Sequence, residues 1–265
     1  MVRTLHKRSV SFDDNLTVLL ADVHVGGLAT DPCYQLQYIE VAVADILRMD
    51  PLPRRVFVFG DLAFLFGRKC DYEKSYPLMK LIRDAGIDLY ITMGNHDHRG
   101  AFFEVYPEHA ETTPVKGKAV SVVTMPDCDF ILFDSLQENL SGAEADNPVP
   151  GELPEDEYEW LAQELPKRKK PFFLGCHHPL NEIKVLNGTG EKTLQGLFSK
   201  CPALSGYING HNHRWDSEWG IRDWGDRRCV KRLILPSTGH WGDIGYTLFR
   251  TGPDGAVAEF VQRDF

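Results

Sequence analysis

Five short apolar runs in this chain each stop at a small cluster of aspartate, asparagine or histidine. Leu16-Thr17-Val18-Leu19-Leu20-Ala21 ends at Asp22-Val23-His24, and Val56-Phe57-Val58-Phe59 ends at Gly60-Asp61. The run from Ile87 to Ile91 leads to Met93-Gly94-Asn95-His96-Asp97-His98. Phe172-Phe173-Leu174-Gly175-Cys176 leads to His177-His178-Pro179, and Leu204 to Asn209 leads to Gly210-His211-Asn212-His213. Runs this short and this apolar read as buried strands. Polar residues just beyond them stand at the sheet edge where open α/β folds hold their active sites. One such segment alone reads equally well as a polar turn. Seven of the ten histidines lie within these few segments, however, and random loops would not concentrate them there.

Helical periodicity fills the gaps between the first three runs. Leu36, Ile39, Val43, Ile46 and Leu47 recur at helical spacing over about 31–49, with Pro32 suited to the first turn and Pro51 and Pro53 ending the pattern. A second helical pattern covers about 72–85. Strand, loop and helix repeated in this way imply a sheet with helices on its faces. Later, Val120 to Met125 and Phe130 to Phe133 flank a Pro126-Asp127 turn and read as a hairpin, and 139–154, rich in Gly, Pro and acidic residues, reads as a long exposed loop. A helix over about 155–165 precedes Lys167-Arg168-Lys169-Lys170, which reads as a solvated turn more readily than as a nucleic-acid patch. Val230 to Leu235 reads as a strand, and Tyr246 to Arg250 and Ala256 to Gln262 form a hairpin around Gly252-Pro253-Asp254-Gly255. Residues 1–15 read as an extended lead-in, and no repeat or linker divides the 265 residues, so a single domain is expected.

The formal net charge of −9 disfavours a sequence-independent grip on nucleic acid. No stretch has the length of apolar residues that a membrane span needs, and Asp13 and Asp14 interrupt the region where a signal-peptide core would stand. Cys33, Cys70, Cys128, Cys176, Cys201 and Cys229 show no C-x-x-C spacing. They read as reduced thiols, and the expected location is cytoplasmic.

Carboxylate and imidazole donors together suit borderline cations such as zinc, manganese or iron. The set is too large for one tetrahedral ion, so two divalent ions are expected.

The ordered pattern D-x-H, G-D, G-N-H-D, H, G-H-x-H resembles the calcineurin-like metallophosphoesterase superfamily, and the match spans Asp22 to His213. Gly60-Asp61-Leu62-Ala63, Asp134-Ser135, the Trp160-Leu161 helix and Gly245-Tyr246 are most similar to its class III cyclic-nucleotide phosphodiesterase branch. The resemblance implies an α/β fold, a four-layer αββα sandwich of two mixed sheets flanked by helices, in which the two halves of the chain form the two sheets. It implies one ion on Asp22, His24 and His213, a second on Asn95, His177 and His211, and Asp61 bridging them. A metal-bridging hydroxide would attack the phosphorus, His96 would assist the leaving group, and Asp97 would orient His96. In the family's H-x-P arrangement the ligand stands two residues before the proline, so the resemblance selects His177 before Pro179 and leaves His178 as a supporting, substrate-facing or core residue.

The expected partner is a small phosphodiester of cyclic-nucleotide or glycerophosphodiester type, with no nucleic acid, no membrane span and room for a homodimer. A phosphomonoesterase or phosphoprotein phosphatase is the alternative within the class. A non-catalytic scaffold is the alternative outside it, opposed by the complete ligand set, and a nuclease is opposed by the acidic balance. Purple acid phosphatases carry a tyrosine ligand three residues after the bridging aspartate, where this chain has Phe64, so a coloured ferric site is not expected. Lipid A pathway diphosphate hydrolases carry arginine where this chain has His96, which lowers a lipid headgroup as substrate. Specificity is expected from the loops 33–38, 97–106, 139–154, 180–192 and 214–228. Arg99 reads as a phosphate contact or as a surface residue, His98 has no assigned role, and His240 and Trp241 read as entrance or core. Trp215, Trp219 and Trp224 read as packing residues before base-stacking ones.

Overall fold

The computed structural model describes residues 10–26, 36–137, 150–185, 193–216, 231–239 and 241–263. In chain order the elements are β1 (Phe12–Leu20), α1 (Gln37–Arg48), β2 (Leu52–Phe59), α2 (Lys69–Asp84), β3 (Asp88–Thr92), α3 (Arg99–Val105) and α4 (Pro107–Thr112). Next come β4 (Ser121–Thr124), β5 (Asp129–Leu132), β6 (Gly151–Leu153), α5 (Glu155–Glu164), β7 (Phe172–Cys176), β8 (Ile183–Val185) and α6 (Leu194–Phe198). The last four are β9 (Leu204–Asn209), β10 (Lys231–Ile234), β11 (Gly245–Gly252) and β12 (Gly255–Gln262).

Two five-stranded mixed sheets result, in the orders β12-β11-β1-β2-β3 and β10-β9-β7-β5-β4. Within the first, β1, β2 and β3 run parallel while β11 and β12 are antiparallel additions. Within the second, β5, β7, β9 and β10 run parallel and β4 closes one edge antiparallel.

Alternation along each strand produces the layers, because neighbouring side chains in a strand face opposite sides. Val18 and Leu20 join α1 and α2 residues such as Ile39, Val43, Met79 and Ile82 in an outer core. Leu19, Phe57, Phe59 and Phe249 of the first sheet instead meet Phe130, Phe173, Ile208 and Leu233 of the second. On the far side, Leu174, Cys176 and Tyr207 pack against Leu161 of α5 and Leu197 and Phe198 of α6. The fold is thus helix, sheet, sheet, helix, as expected. Continuous apolar strands are the signature of burial on both faces.

Several expectations need correction. The two halves of the chain are not the two sheets: the C-terminal hairpin β11–β12 returns to the first sheet and pairs with β1, from Leu16↔Arg250 to Leu19↔Thr247. A hairpin needs only a neighbouring edge to hydrogen-bond, and β1 offers one regardless of chain order. Residues 12–15 of the expected lead-in belong to β1, with Phe12 opposite Leu52 and Asp13 opposite Pro53. The tail of the expected loop 139–154 is β6, whose Gly151 and Leu153 are buried and which pairs with β8; residues 138–149 lie outside the described set. The basic turn is partly tethered, since Arg168 reaches Asp129 at 3.3 Å and Glu164 at 3.2 Å. The segment 97–106 holds α3, whose Phe102 and the following Tyr106 are wholly buried.

Aromatic rings fill the seam between the sheets. Phe57 and Phe130 lie 4.8 Å apart edge to face, and Phe173 and Phe249 lie 5.1 Å apart in the same manner. Phe130→Ala should therefore lower stability by about 3–5 kcal/mol in urea denaturation, whereas Val257→Thr, at a position 67% exposed on β12, should change it by less than about 0.5 kcal/mol.

Candidate metal centre

Five residues other than glycine hold a positive φ among the described residues: Asp22 (51°), His24 (53°), Asp61 (49°), His211 (71°) and His213 (49°). All five lie at the polar ends of β1, β2 and β9. A left-handed backbone costs an L-residue about 1–2 kcal/mol, and aspartate and histidine tolerate it better than most. Hydrogen bonds hold each turn. His24 N–H donates to the Asp61 carbonyl at 2.8 Å, Gly239 N–H to the Asp22 carbonyl at 2.9 Å, and Asp243 N–H to the His213 carbonyl at 2.8 Å. Leaving the strand in this conformation breaks the up-and-down alternation and directs successive polar side chains toward one place.

The place is the seam at the carboxyl ends of both sheets. Potential ligand atoms of Asp22, His24, Asp61 and His213 form one cluster, and those of His177, His178 and His211 a second, with the atoms of each cluster within 4.8 Å of one another. In the first, His213 Nε2 lies 3.1 Å from His24 Nε2 and 3.1 Å from Asp22 Oδ1. In the second, Asn95 Oδ1, His177 Nε2 and His211 Nδ1 form a triangle with edges of 3.0, 3.0 and 3.1 Å. Asp61 Oδ2 stands between, 3.2 Å from His177 Nε2 and 3.8 Å from His24 Nε2. Lone pairs brought this close need a positive charge among them. Two donors bound at right angles to a cation about 2.1 Å away lie about 3.0 Å apart, so the triangle has the size of a coordination face.

Second partners orient the rings. Nδ1–H of His177 donates to the Phe59 carbonyl at 2.8 Å and Nδ1–H of His24 to the Phe64 carbonyl at 3.1 Å, which leaves both Nε2 atoms facing inward. His211 turns Nδ1 inward, and its Nε2 faces Glu182 at 3.4 Å. Glycine is required where the loops touch: a Cβ on Gly94 would fall 2.2 Å from Asp61 Oδ1. His178 is wholly buried, with Nδ1 2.8 Å from Ser135 Oγ. Its ring belongs to the second cluster, 4.9 Å from the ring of His177 and 5.0 Å from that of His211.

Burial would raise the Asp61 carboxyl, but the His177, His96 and His24 imidazoles hold it well below its ordinary value. Burial would lower His177, yet Asp61 prevails and raises it to about 9. Burial carries His24 and His211 the other way, to about 4, with His177 adding to the effect on His211.

The remaining expected residues divide. His96 N–H donates to Asp61 Oδ1 at 2.9 Å, and its ring lies edge-on to His24 at 5.4 Å. Its Nδ1 faces the Leu65 carbonyl at 3.3 Å, so that carbonyl rather than Asp97 orients the ring. The Asp97 carboxylate instead accepts hydrogen bonds from the N–H groups of Gly94, Ala63 and Leu62 and from Tyr72 OH, because that loop would otherwise bury several unpaired donors. Burial, then Asp61, raises Asp97 to about 6. His98 caps α3, its Nδ1 accepting from Ala101 N–H at 3.2 Å. Arg99 is no surface residue: it forms a bidentate pair with buried Asp134 at 2.8 and 2.9 Å. Trp241 lies 5.1 Å from the His24 ring, while His240, Trp219 and Trp224 lie outside the described residues. Glu182 and Tyr72 carried no strand-end signal, and sequence reasoning missed them.

An αββα sandwich with two adjoining carboxylate and imidazole clusters at its seam has the make-up of a dinuclear metal centre. The Calcineurin-like phosphoesterase family profile matches residues 16–215, and the chain belongs to that family. No curated protein sequence matches it. Among solved structures, a 5′-nucleotidase from Candida albicans SC5314 is similar in fold, at 15% identity and a TM-score of 0.52, covering 97% of this chain and 53% of that one. A double mutant of Vps29 from Entamoeba histolytica matches at 12% identity and a TM-score of 0.39, covering 94% and 99% of the two chains. A protein serine/threonine phosphatase from Saccharomyces cerevisiae matches at 9% identity and a TM-score of 0.43, covering 97% and 84%.

With His177 raised to about 9, its ring holds a proton at neutral pH in the metal-free protein. A cation competes with that proton for the lone pair. Metal affinity should therefore rise with pH until about 9 and then level off. Titration calorimetry at pH 7 in buffers of different ionisation enthalpy should report proton release, and binding without release would contradict the assignment.

Proposed function

We propose that this chain is a two-metal phosphodiesterase acting on a small phosphodiester of cyclic-nucleotide or glycerophosphodiester type. One ion would be held by Asp22, His24 and His213, the other by Asn95, His177 and His211, with Asp61 shared. The observation that carries this reading is the position of Asp61 Oδ2, a single buried oxygen within 3.2 Å of a nitrogen from one donor set and 3.8 Å of a nitrogen from the other. A carboxylate is the ordinary side chain that can serve two cations while cancelling charge. When bound, two such ions supply positive charge to the phosphoryl oxygens and acidify a water at neutral pH.

The chain's own groups do the rest. His96 is held by its N–H on Asp61, and its ring meets that of His24, which places an acid beside the centre without using it as a ligand. Its role is to donate a proton or hydrogen bond to the leaving oxygen. Asp97 fixes the loop carrying Asn95 and His96 through the N–H groups of Gly94, Ala63 and Leu62, so it is a positioning residue. The motifs around Asp61 and Asp134-Ser135 support a place beside the class III cyclic-nucleotide phosphodiesterases. Ser135 contributes through its contact with His178 of the second cluster. A cytoplasmic setting is part of this reading, in keeping with Cys70, Cys128 and Cys176 as reduced thiols.

Manganese-loaded protein should hydrolyse bis-p-nitrophenyl phosphate faster than p-nitrophenyl phosphate, and a chelator should abolish both activities. The reverse order would select the phosphomonoesterase alternative. Loss of neither diester, monoester nor cyclic nucleotide after metal loading would sink the enzymatic reading. Asn95→Ala should weaken one ion in metal analysis. His96→Ala should keep both ions and slow substrates with poor leaving groups by about 10² to 10⁴. Equal slowing of good and poor leaving groups would remove His96 from the proton-donor role.

A further inference from the structure

The two donor sets differ in charge. Asp22 gives the first a carboxylate of its own, whereas Asn95, His177 and His211 offer the second an amide and two imidazoles besides the shared Asp61. A divalent cation on the second set is therefore met by less negative charge. A carboxylate outside both sets lies where it can make up the difference. Glu182 Oε2 is 3.4 Å from His211 Nε2, across the ring from Nδ1, the atom that meets Asn95 Oδ1 at 3.0 Å and His177 Nε2 at 3.1 Å. An imidazole that gives Nδ1 to a cation keeps its proton on Nε2, and that N–H needs an acceptor. Among the described residues Glu182 is the polar side chain at this nitrogen, and no lysine or arginine among them pairs with Glu182. His177 and His24 instead set a backbone carbonyl at the outer nitrogen, which orients the ring without adding charge.

Resting on the two-metal reading above, we propose that Glu182 is the positioning residue of the second ion. Its carboxylate accepts the Nε2–H of His211, holds Nδ1 toward the ion, and supplies through the ring the negative charge that this donor set lacks. The imidazole stands between Glu182 and the ion, so Glu182 is not itself a ligand. Local structure fixes where the carboxylate starts. Glu182 N–H donates to the Pro179 carbonyl at 2.9 Å, closing the single turn Leu180–Glu182 directly after His177-His178. The chain then enters β8, which pairs with β6, and Glu152 N–H of β6 donates to the Ser135 carbonyl at 2.9 Å. That ribbon presses on the second cluster, since a Cβ on Gly151 would fall 2.8 Å from the His178 ring. Leu180 and Ile183, on either side of the turn, pack on the apolar layer between the second sheet and its helices. The side chain of Glu182 is 37% exposed, so its removal opens no cavity in the core.

Calorimetric titration of manganese into the metal-free protein, with metal analysis after dialysis, tests the proposal without requiring turnover. The unaltered protein should take up two ions. Glu182→Ala should bind one of them about 10- to 100-fold more weakly and the other as before, with the Tm of the metal-free protein unchanged. Glu182→Gln, which keeps an oxygen acceptor without the charge, should recover part of the loss. Lys184→Ala, two residues further along the same ribbon, should leave both ions in place. Added to Asn95→Ala, Glu182→Ala should not weaken the ion that remains, which identifies the affected ion as the one that Asn95 helps to hold. The proposal is overturned if both ions keep their affinity in Glu182→Ala, as they would were Glu182 a substrate contact only. Equal weakening of both ions, the same loss in Lys184→Ala, or a weaker remaining ion in the double variant would overturn it as well. Uptake of fewer than two ions by the unaltered protein, or an Asn95→Ala variant that binds both ions normally, would instead bring down the two-metal reading and this proposal with it.

Discussion

Asp61 is the constraint on which the rest of the structure depends. Its carboxylate is 1% exposed, beside a second buried carboxylate on Asp22 and the buried rings of His24 and His177. Charges taken out of water are tolerated only with close partners. Here the partners come from three other strand ends, those of β1, β7 and β9, and from the loop after β3. Each must approach closely, which is why Gly94 has no room for a side chain and why five donors leave their strands through a left-handed turn. Among the described residues, a left-handed backbone outside glycine is confined to members of the two donor clusters.

The same contacts join the two sheets. His177, at the end of β7, donates to the Phe59 carbonyl at the end of β2. His211 N–H, after β9, reaches the Asp22 carboxylate after β1 at 3.0 Å. Thr92 Oγ donates to the Phe133 carbonyl at 2.7 Å, one further link across the seam. Behind these stands a buried hydrogen-bonded layer in which Tyr72 OH connects Asp97 to the N–H of His98, and Arg99 carries the start of α3 to Asp134. Reactive groups thus rest on strands, and the strands rest on a seam packed by Phe57, Phe130, Phe173 and Phe249. Precision at the centre is a property of the inter-sheet packing.

Much of this was legible in the chain. The strands β1, β2, β3, β7 and β9 were visible because burial on both faces makes them continuously apolar, and each donor cluster follows directly in sequence. Helices α1, α2 and α5 showed their periodicity. The shorter elements did not: α6 and β8 contain only five and three residues, too few for a period to emerge. Nor did α3, whose first residues belong to the polar motif itself. Arg99 read as a surface residue or phosphate contact because nothing local announces Asp134, thirty-five positions away. Asp97 lies next to His96 in sequence, yet adjacent residues turn to different partners, and its carboxylate serves the backbone behind the loop.

By itself, then, the sequence determined which residue types end which strands, because burial and chemistry leave a compositional trace wherever they act on consecutive residues. From that alone came the layered α/β class and the donor inventory. Only the tertiary structure decided what those ends have in common. It brought the C-terminal hairpin back to β1, set Asp61 Oδ2 3.2 Å from His177 Nε2 and 3.8 Å from His24 Nε2, gave His96 the Leu65 carbonyl for its guide, and packed Trp241 beside His24 and His213. These are relations between segments far apart in the chain, and they exist because two sheets must pack face to face with their carboxyl ends together, a condition no single segment encodes.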